Sequence, residues 1–588
     1  MSETDPRLYF ADDGNPRSAR FDDIYYSLQD GLSETRAVFF EGCGLPHHWE
    51  GRGHFTVGEL GFGTGLNIAG LMKLWADHRP TPESHLHIFS IEGYLMPREA
   101  AARALANWPE LAAFADAMIA QWPAPRRGWH VMLFPQWGVT LTLGLMDVRE
   151  ALSQWGGRAD AWFLDGFSPA QNPDMWAEDV LSAVAAKTAP GGRLATFTVA
   201  GFVRRGLTAA GFDVAKRPGF GRKRERLEAI FPGTSEGVAS QAAPSRLAVI
   251  GGGIGGASIV HALRHYGHEA VVFDIGPQAS GNPAGLMTPR LDAGGGVISA
   301  LFADALYFST GLIRRLCPEA ILGEGVLQRA SDAREQARFD KISAQSDFAP
   351  GDMQPQAEGL DMRPALAVRP RDVVAALLGR GQVLTERVTG LVQIGEGWRI
   401  LTESGAHGFD RVFVACGDGV FDLVVNSTDT PATQLDLRPV RGQIEYAQSS
   451  AHDPDAQAWG GYYVPLPDGF VFGSTHIRGD RGTEPREADR LHNLETLSAV
   501  LPAEAAQAQA QAQTGTQSRA AVRVTTRDHL PVMSERASGL YILTGLGARG
   551  LCLGPWLGLS LVAMALGAAP PCGVAVRHRL SASRFQTP

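Results

Sequence analysis

At 588 residues the chain is longer than one hydrophobic core usually supports, so two or three domains are expected. Its 44% of hydrophobic and 20% of charged residues are ordinary for a globular protein, and a net charge of −9 excludes a surface that is basic throughout. The five cysteines are scattered and form no CxxC pair, which argues against a disulfide framework or a zinc site. The polar, acidic N-terminus lacks an apolar signal core, so a cytoplasmic protein is expected.

The first half of the chain alternates between strand-like and helix-like segments. The strand-like runs are Phe55–Leu60, Leu86–Ile91, Val139–Leu145, Ala161–Leu164 and Arg193–Thr198. Helix-forming segments such as Arg98–Ala106 and Pro173–Lys187 lie between them. This alternation predicts an α/β fold with a mostly parallel, doubly wound, Rossmann-like sheet, in which ligands bind at the carboxyl ends of the strands.

A glycine-rich loop with the spacing GxGxG follows the first of these strands. Its glycines are Gly61, Gly63 and Gly65, and acidic residues stand at the predicted strand ends, namely Glu59, Glu92, Asp147 and Asp165. This pattern is typical of an S-adenosylmethionine site, where Glu92 would bind the ribose hydroxyls and Asp147 would reach the adenine amino group. A dinucleotide site is the alternative, although the loop lacks the GxGxxG spacing. If the acidic residues were only solvated ends of strands, the three glycines would remain unexplained.

The sharpest local motif is the turn Asp165-Gly166-Phe167-Ser168-Pro169, which precedes the run NPDMW. A carboxylate, a tight turn and an aromatic ring at a strand end would form a wall beside the donor methyl group. If the acceptor is an alkylamine with a pKa near 10, freeing its lone pair at pH 7 costs roughly 4 kcal/mol. Asp165 could orient this amine and take its proton, while a turn cap is the alternative interpretation.

The segment Gly201–Glu228 carries eight basic and three acidic residues, a local excess inside an acidic chain. The candidate RNA-binding residues in it are Arg204, Arg205, Arg222, Lys223 and Arg224. Three interleaved phenylalanines, Phe202, Phe212 and Phe220, could stack on bases or fill the core. A basic groove with aromatic residues suits RNA, and a solvated basic face is the alternative.

A second glycine-rich loop, with the spacing GxGxxG, follows the apolar run Leu247–Ile250. Its marker glycines are Gly251, Gly253 and Gly256, and Asp274 ends the next strand-like run. An acid at this place should bind the ribose of an adenine dinucleotide, so the pattern predicts FAD or NAD. Two features favour FAD: a loop that resembles a flavin cover and a glycine turn that can return to the isoalloxazine. Their residues are Ser280, Gly281 and Asn282, and Gly545, Gly547 and Gly550.

Candidate substrate-binding residues include two arginines. Arg523 could clamp a carboxylate in a bidentate pair, and Arg549 is a second candidate. Tyr462, Tyr463 and the run Pro439–Gln443 resemble parts of a substrate domain. The histidines lack metal-ligand spacing, so no metal is assigned.

Two segments, one apolar and one rich in alanine and glutamine, are expected to have no part in a functional site. Leu551–Ala569 contains no charged residue and is about long enough to span a bilayer, but Pro555 and its glycines favour a buried helix, so no membrane association is expected. The alanine- and glutamine-rich run Ala503–Gln517 is expected to be a surface helix end or an insertion.

Together these motifs resemble the bifunctional tRNA 5-methylaminomethyl-2-thiouridine biosynthesis (MnmC) family over nearly the whole chain. The N-terminal resemblance rests on ELGFGTGLN, WFLDGFSPAQNPDMW, PGGRLATFTVAGFVRRGLTAAGF and GFGRKRE. The C-terminal resemblance rests on VIGGGIGGAS, SGNPAG, VRGQ, RVTTRDHLP and GLGARGLC.

The resemblance implies FAD and S-adenosylmethionine as cofactors and the anticodon region of tRNA as partner. The flavin half would oxidise a C–N bond of a carboxymethylaminomethyl group on the wobble uridine, and hydrolysis of the imine would leave an aminomethyl group. The N-terminal half would then methylate that amine. Arg523 matches the family's carboxylate-binding position, Asp165 the acid beside the acceptor amine, and Gly61, Gly63 and Glu92 the donor site.

The expected organisation is a methyltransferase domain over residues 1–235, a linker over 236–245 and an FAD-dependent oxidoreductase domain over 246–588. Within the last, a smaller α+β substrate subdomain would occupy roughly 300–360 and 430–515. No obligate protein partner is evident from the sequence.

Two rival functions stay open at this point. A small-molecule amine oxidase fused to a small-molecule methyltransferase would act on free glycine-like amines without using Arg222, Lys223 or Arg224. A tRNA-binding flavoprotein whose N-terminal half no longer catalyses would bind RNA independently of the methyl donor, although Gly61, Glu92 and Asp165 are intact.

Overall fold

The structure is a computed structural model that describes residues 6–12, 14–26, 30–221, 223–233, 246–276, 278–345, 347–426, 431–449, 454–511 and 517–585. The chain divides into two compact units. The first comprises Met1–Ala243, His265–His268 and Gly567–Val574, and the second comprises Pro244–Arg264, Glu269–Leu566 and Ala575–Pro588. The predicted linker, 236–245, lies outside the described residues.

The first unit contains a three-stranded antiparallel sheet and an eight-stranded sheet. Its strands are β1 (Leu8–Phe10), β2 (Pro16–Ser18), β3 (Asp23–Ile24), β4 (His54–Leu60), β5 (His85–Glu92), β6 (Gly128–Phe134), β7 (Val139–Leu145), β8 (Ala159–Leu164), β9 (Thr188–Thr196), β10 (Asp213–Pro218) and β11 (Glu225–Ile230). Its helices are α1 (Gly31–Thr35), α2 (Leu66–His78), α3 (Arg98–Leu105), α4 (Ala112–Ile119), α5 (Val148–Gln154), α6 (Glu178–Ala186) and α7 (Gly201–Ala209).

The large sheet has the order β10-β11-β9-β8-β4-β5-β7-β6. Its five central strands, β9 to β7, run parallel, while β6 and β11 pair antiparallel at the two sides. Every residue of β7 is buried, as expected for a strand that helices cover on both faces. The doubly wound α/β fold predicted from the sequence is therefore confirmed.

The second unit contains three sheets. Its strands are β12 (Leu247–Ile250), β13 (Val271–Phe273), β14 (Gly285–Met287), β15 (Ile321–Arg329), β16 (Met353–Gln356), β17 (Gly359–Val368), β18 (Gln382–Leu384), β19 (Val388–Ile394), β20 (Gly397–Thr402), β21 (Ala406–Phe409), β22 (Arg411–Val414), β23 (Val424–Val425), β24 (Leu437–Gln448), β25 (Gln457–Ala458), β26 (Tyr462–Leu466), β27 (Gly469–Gly473), β28 (Ile477–Arg478), β29 (Gln517–Thr526), β30 (Val532–Ala537) and β31 (Leu540–Thr544). Its helices are α8 (Ile254–His265), α9 (Gly296–Leu316), α10 (Ala333–Ser343), α11 (Pro370–Leu378), α12 (Pro431–Gln434), α13 (Glu487–Val500), α14 (Pro502–Ala510), α15 (Gly550–Ala565) and α16 (Val574–Leu580).

A six-stranded sheet of order β18-β13-β12-β22-β31-β30 carries the second glycine loop. All its neighbouring strands are parallel except β30 and β31. A ten-stranded sheet runs β14-β17-β15-β25-β26-β27-β24-β28, with β16 on β17 and β29 on β24, and a four-stranded sheet runs β21-β20-β19-β23. The ten-stranded sheet brings β29, which carries Arg523, beside β24.

Two helices among the described residues are long and apolar enough to cross a membrane. They are Gly296–Leu316 and Gly547–Ala565, and 67% and 72% of their most apolar windows are buried inside the structure. The second contains α15, where a Cβ on Gly558 would lie 2.8 Å from the Cβ of Ser258 on α8. Phe308 of α9 packs on Trp556 of α15 with ring centroids 5.4 Å apart. Both helices therefore pack as core helices of the second unit.

Candidate active sites

The first glycine loop makes a sharp connection from β4 to α2. Gly61, Gly63 and Gly65 have φ values of +94°, +54° and +79°, which L side chains rarely adopt. A Cβ on Gly61 would also lie 2.4 Å from the backbone oxygen of Asp165. The loop thus needs glycine for its backbone conformation and for its close approach to the neighbouring strand end.

Glu92 is fixed beside this loop at the end of β5. Its two carboxylate oxygens accept hydrogen bonds from the backbone N–H groups of Gly63, at 2.9 Å, and of Tyr94, at 2.8 Å. Burial raises the pKa of Glu92 above its usual range. The structure therefore places this carboxylate at the carboxyl edge of the sheet, where nucleoside hydroxyls bind in such folds.

The other two predicted donor-site acids have different surroundings. Glu59 is fully buried and accepts hydrogen bonds from Asn67, at 3.1 Å, and Ser90, at 2.5 Å, and burial raises its pKa to about 8. Asp147 is exposed and caps α5 by accepting from the backbone N–H groups of Arg149 and Glu150. Glu59 is thus held between α2 and β5, while Asp147 is the N-cap of α5.

Asp165 lies at the end of β8 and keeps part of its surface accessible. Its Oδ2 accepts a 2.7 Å hydrogen bond from the Nδ2 of Asn67 on α2. Close surrounding by protein raises the pKa of Asp165 to about 7. Among the described residues, Asp165 accepts no backbone N–H of its own turn, so its geometry differs from that of a turn cap.

An N-terminal segment covers this site, which the sequence pattern did not reveal. Phe21 stacks on Phe167 of the Asp165 turn with centroids 4.8 Å apart, and the Asp23 carboxylate accepts from the backbone N–H of Ser168 at 2.8 Å. The Tyr25 ring lies 3.4 Å from where a Cβ on Gly63 would stand. The only signal in the sequence is the aromatic and acidic run FDDIYY near the N-terminus.

The basic segment contributes one side chain to the same site. Lys223 lies 2.9 Å from the carboxylate of Glu34 and 4.2 Å from the centroid of the Phe197 ring. Its positive charge favours the ionised form of Asp165, whereas Glu34 and Asp23 oppose it. Lys223 was predicted as an RNA contact, and the structure places it close enough to Asp165 to act on its charge.

The remaining basic candidates are spread over the surface. Arg204 and Arg205 are exposed on α7, and Arg224 is exposed before β11. Arg222 lies outside the described residues. Of the three phenylalanines, Phe202 is 44% exposed, Phe212 is buried in the core and Phe220 packs against the core's edge.

The second glycine loop joins β12 to α8, and at two of its glycines the neighbouring atoms leave little or no room for a side chain. A Cβ on Gly256 would lie 1.7 Å from the carbonyl oxygen of Gly251, and one on Gly253 would lie 3.3 Å from the Oγ of Ser280. Asp274 accepts a 2.9 Å hydrogen bond from the backbone N–H of Gly252. The strand, the loop, the helix and the acid are thus arranged as a dinucleotide site requires.

The two features that favour flavin lie against this loop. The Oγ of Ser280 accepts from the backbone N–H of Ile254 at 3.0 Å, and Gly281 is buried beside it. The C-terminal turn packs on the same helix end, because a Cβ on Gly550 would lie 3.0 Å from the Ile254 side chain. In that turn Gly545 and Gly547 have φ values of +71° and +55°. Asn282 accepts a 2.5 Å hydrogen bond from the Nη1 of Arg519. The residues present therefore fit an FAD site.

Substituting Gly256 with Ala should abolish FAD retention, since the added Cβ collides with a backbone oxygen that has no room to move. The measurement is the ratio of flavin to protein absorbance after purification, expected to fall at least tenfold. Gly405→Ala is the matched control, because a Cβ at Gly405 meets nothing within 4 Å. A yellow G256A protein with normal flavin content would show that this loop does not hold the cofactor.

Arg523 and Arg549, the two candidate carboxylate-binding residues, donate hydrogen bonds to uncharged groups. Arg523 donates to the carbonyl of Thr475 at 3.1 Å and to the Oγ of Ser474 at 3.3 Å, and Arg549 donates to the Oγ1 of Thr288. Among the described residues, neither guanidinium forms an ion pair. Both keep some accessible surface, yet close surrounding by protein lowers the pKa of each.

The two arginines lie near one histidine. Burial and the positive charges of Arg523 and Arg549 lower the pKa of His476 to about 4. Arg523 also acts on the hydroxyl group of Tyr462. By contrast, Arg441 on the same sheet is fully buried and paired with Asp489, which makes it structural. The two cations, Arg523 and Arg549, are therefore suited to an anionic ligand.

Comparison with known proteins matches the two units to two enzyme classes. Residues 109–232 match the model described as S-adenosyl-L-methionine-dependent methyltransferase, and residues 246–564 match that described as FAD dependent oxidoreductase. The protein is thus a bifunctional enzyme that uses both cofactors, as predicted.

Full-length relatives define the family more closely. A protein of Caulobacter vibrioides is 47% identical over 100% of this chain and 99% of its own, and one of Maricaulis maris is 38% identical over 98% and 96%. Both are named tRNA 5-methylaminomethyl-2-thiouridine biosynthesis bifunctional protein MnmC. The chain belongs to this MnmC family. Among solved structures, iminodiacetate oxidase from Chelativorans is 19% identical over 57% of this chain and 98% of its own, with a TM-score of 0.47.

Proposed function

We propose that this enzyme carries out two consecutive steps on the wobble uridine of tRNA. The first removes the carboxymethyl group from 5-carboxymethylaminomethyl-(2-thio)uridine, and the second methylates the resulting amine. The observation that carries the proposal is the full-length similarity to relatives named for this biosynthesis, at 47% identity. The geometry of the two sites supports it, because Arg523 and Arg549 suit a carboxylate and Asp165 lies against the first glycine loop.

In the oxidative step, Arg523 and Arg549 hold the substrate carboxylate. FAD, when bound at Gly251, Gly253, Gly256 and Asp274, supplies a two-electron acceptor. The N–CH₂ group gives up two electrons to that acceptor and two protons, one from the carbon and one from the nitrogen, to form the imine, and water then cleaves the C=N bond to give a primary amine and glyoxylate. Fixing the carboxylate on two cations orients the C–H bond that must break, which is the main contribution of these residues.

In the methylation step, Asp165 binds the aminomethyl group. The ammonium form must lose a proton before its lone pair can attack the methyl group of S-adenosylmethionine. A carboxyl group with a pKa near 7 is suited to accept this proton at neutral pH. The C–S bond breaks as the N–C bond forms, and the donor leaves as S-adenosylhomocysteine. Gly61, Gly63 and Gly65, together with Glu59, Glu92 and Asp147, would hold the donor.

RNA binding is assigned to the basic surface of the first unit. Arg204, Arg205 and Arg224 are exposed and form no ion pair among the described residues, so they can contact phosphates. Arg222 completes the predicted set outside the described residues. Lys223 would link this surface with the methyl-transfer site, because it pairs with Glu34 and acts on the charge of Asp165.

The domain division follows from the same proposal. A methyltransferase domain would end near residue 235, and an oxidoreductase domain would begin near residue 246, with a substrate subdomain over roughly 300–360 and 430–515. A cytoplasmic location is supported by five cysteines that are all free thiols.

A direct test compares tRNA with free amines as substrates of the oxidative step. The proposal predicts that FAD-loaded enzyme oxidises tRNA bearing the carboxymethylaminomethyl group at least a hundredfold more efficiently, in kcat/KM, than free N-alkylglycines. Replacing Arg204, Arg205 and Arg224 together with Ala should raise the KM for tRNA and leave the KM for free amines unchanged. Equal efficiency on free amines and no effect of the triple substitution would instead favour the small-molecule rival.

Lys223 should set the pH dependence of methylation. Its positive charge lowers the pKa of Asp165, while Glu34, Asp23 and the neighbouring Glu59 favour the protonated form. Substituting Lys223 with Ala removes the cation and leaves Glu34 unpaired, so the pKa of Asp165 should rise above about 7. The acid limb of the methylation pH profile should then move to higher pH.

Single-turnover methylation rates measured across the pH range check this shift. Lys223→Arg keeps the charge and should retain the wild-type profile. If Lys223→Ala lowers the rate equally at every pH, Lys223 binds RNA without influencing Asp165.

A further inference from the structure

A short segment near the N-terminus contacts both the donor side and the acceptor side of the methyl-transfer site. The centroid of the Phe21 ring lies 4.8 Å from that of Phe167, in the Asp165 turn, and 5.6 Å from that of Tyr94. Tyr94 in turn donates its backbone N–H to the carboxylate of Glu92. The segment therefore bridges the turn that carries the acceptor-side acid and the loop that follows the donor-side acid.

Tyr25 of this segment lies between the same two parts of the site. A Cβ on Gly63 would stand 3.4 Å from its Cδ1 and 4.0 Å from its Cε1, so one edge of the ring, and not its face, points to the glycine loop. The Tyr25 and Phe167 rings have centroids 5.2 Å apart and planes at 71°. Burial and, to a smaller extent, the negative charge of Glu92 raise the pKa of Tyr25, so its hydroxyl stays protonated. Tyr25 thus contributes an uncharged aromatic ring.

The group that reacts in this site is a cation. The methyl group must pass from the donor, held at the glycine loop, towards Asp165, so the sulfur of the donor lies between these two elements, as the Tyr25 ring does. A sulfonium has no N–H or O–H group with which to form hydrogen bonds. The face of an aromatic ring attracts a cation within about 6 Å of its centroid, and it offers no such attraction to an uncharged thioether.

We propose that the Tyr25 ring lies against the sulfonium of bound S-adenosylmethionine and makes the site prefer this charged donor to its uncharged product, S-adenosylhomocysteine. During transfer the C–S bond breaks and its two electrons stay on sulfur, while the lone pair of the amine nitrogen forms the new N–C bond. The positive charge thereby passes from sulfur to nitrogen. The attraction to the ring is lost once the methyl group has moved, which favours release of the product.

The test measures binding of the two ligands separately, by calorimetry, to full-length, FAD-loaded protein without tRNA. Tyr25→Leu should weaken the affinity for S-adenosylmethionine about tenfold and leave that for S-adenosylhomocysteine within about twofold of the wild type, because only the donor carries a charge. Tyr25→Phe should retain both affinities, since the ring remains. The uncharged product also reports whether each variant keeps a folded site.

Tyr9→Leu is the matched control, because Tyr9 lies on β1 in the same unit and is 46% exposed. Both of its affinities should equal those of the wild type. Wild-type affinity for both ligands in Tyr25→Leu, equal losses of both, or the same loss in Tyr25→Phe as in Tyr25→Leu would overturn the proposal. Protein that shows the expected preference but leaves tRNA unmethylated would contradict the proposed function and support the role of Tyr25.

Discussion

Replacing Asp165 with Asn should reduce methyl transfer by about a hundredfold to ten-thousandfold, the range that a positioned general base contributes. Asn has the same shape but cannot accept the proton that the aminomethyl group must lose. The oxidative step uses a different unit and should continue, so the aminomethyl nucleoside should accumulate. Mass spectrometry of nucleosides from treated tRNA measures both effects at once.

The control for this variant is Asp174→Asn, which changes an exposed carboxylate in the run that follows the Asp165 turn. It should methylate at the wild-type rate. Affinity for S-adenosylmethionine should be the same in all three proteins, because Asp165 is proposed to bind the acceptor amine. Normal formation of the methylated nucleoside by D165N would remove Asp165 from the chemistry.

Replacing Arg523 with Ala should lower kcat/KM for the oxidative step by about a hundredfold or more. Loss of one partner from a desolvated charge pair costs about 2–5 kcal/mol, and Arg549 alone cannot hold the carboxylate in the same orientation. Arg523→Lys should recover only part of the loss, since an ammonium group cannot form the bidentate pair. Rates of flavin reduction under anaerobic conditions measure the step directly.

The matched control is Arg527→Ala, because Arg527 follows the same strand and its side chain is 67% exposed. Methylation of tRNA that already carries the aminomethyl group should be normal in Arg523→Ala, Arg523→Lys and Arg527→Ala. If R523A reduces its flavin at the wild-type rate, the substrate carboxylate binds elsewhere.

Much of the architecture could be predicted because its signals are local. Strands buried on both faces read as apolar runs, so β4, β5 and β7 were predicted within one residue of their observed ends. The glycine loops were recognisable since their backbone conformations demand glycine. The antiparallel strands β10 and β11 were not predicted, because half of the residues in each are charged and both strands lie at the side of the sheet.

The parts of the sites that sequence reasoning missed depend on contacts between distant segments. Asn67 joins Glu59 to Asp165, and Lys223 reaches Glu34 across 189 positions. Neither pairing leaves a pattern in the sequence. Arg523 was found through its motif, but only the structure shows that it lacks an acidic partner, in contrast to Arg441.

The decisive measurement follows one nitrogen atom through both pockets. Transfer RNA from a strain lacking this enzyme is incubated with the FAD-loaded protein, with and without methyl-labelled S-adenosylmethionine, and its nucleosides are analysed by mass spectrometry. The account predicts the aminomethyl nucleoside without the donor and the labelled methylaminomethyl nucleoside with it. An unchanged carboxymethylaminomethyl nucleoside under both conditions would contradict it.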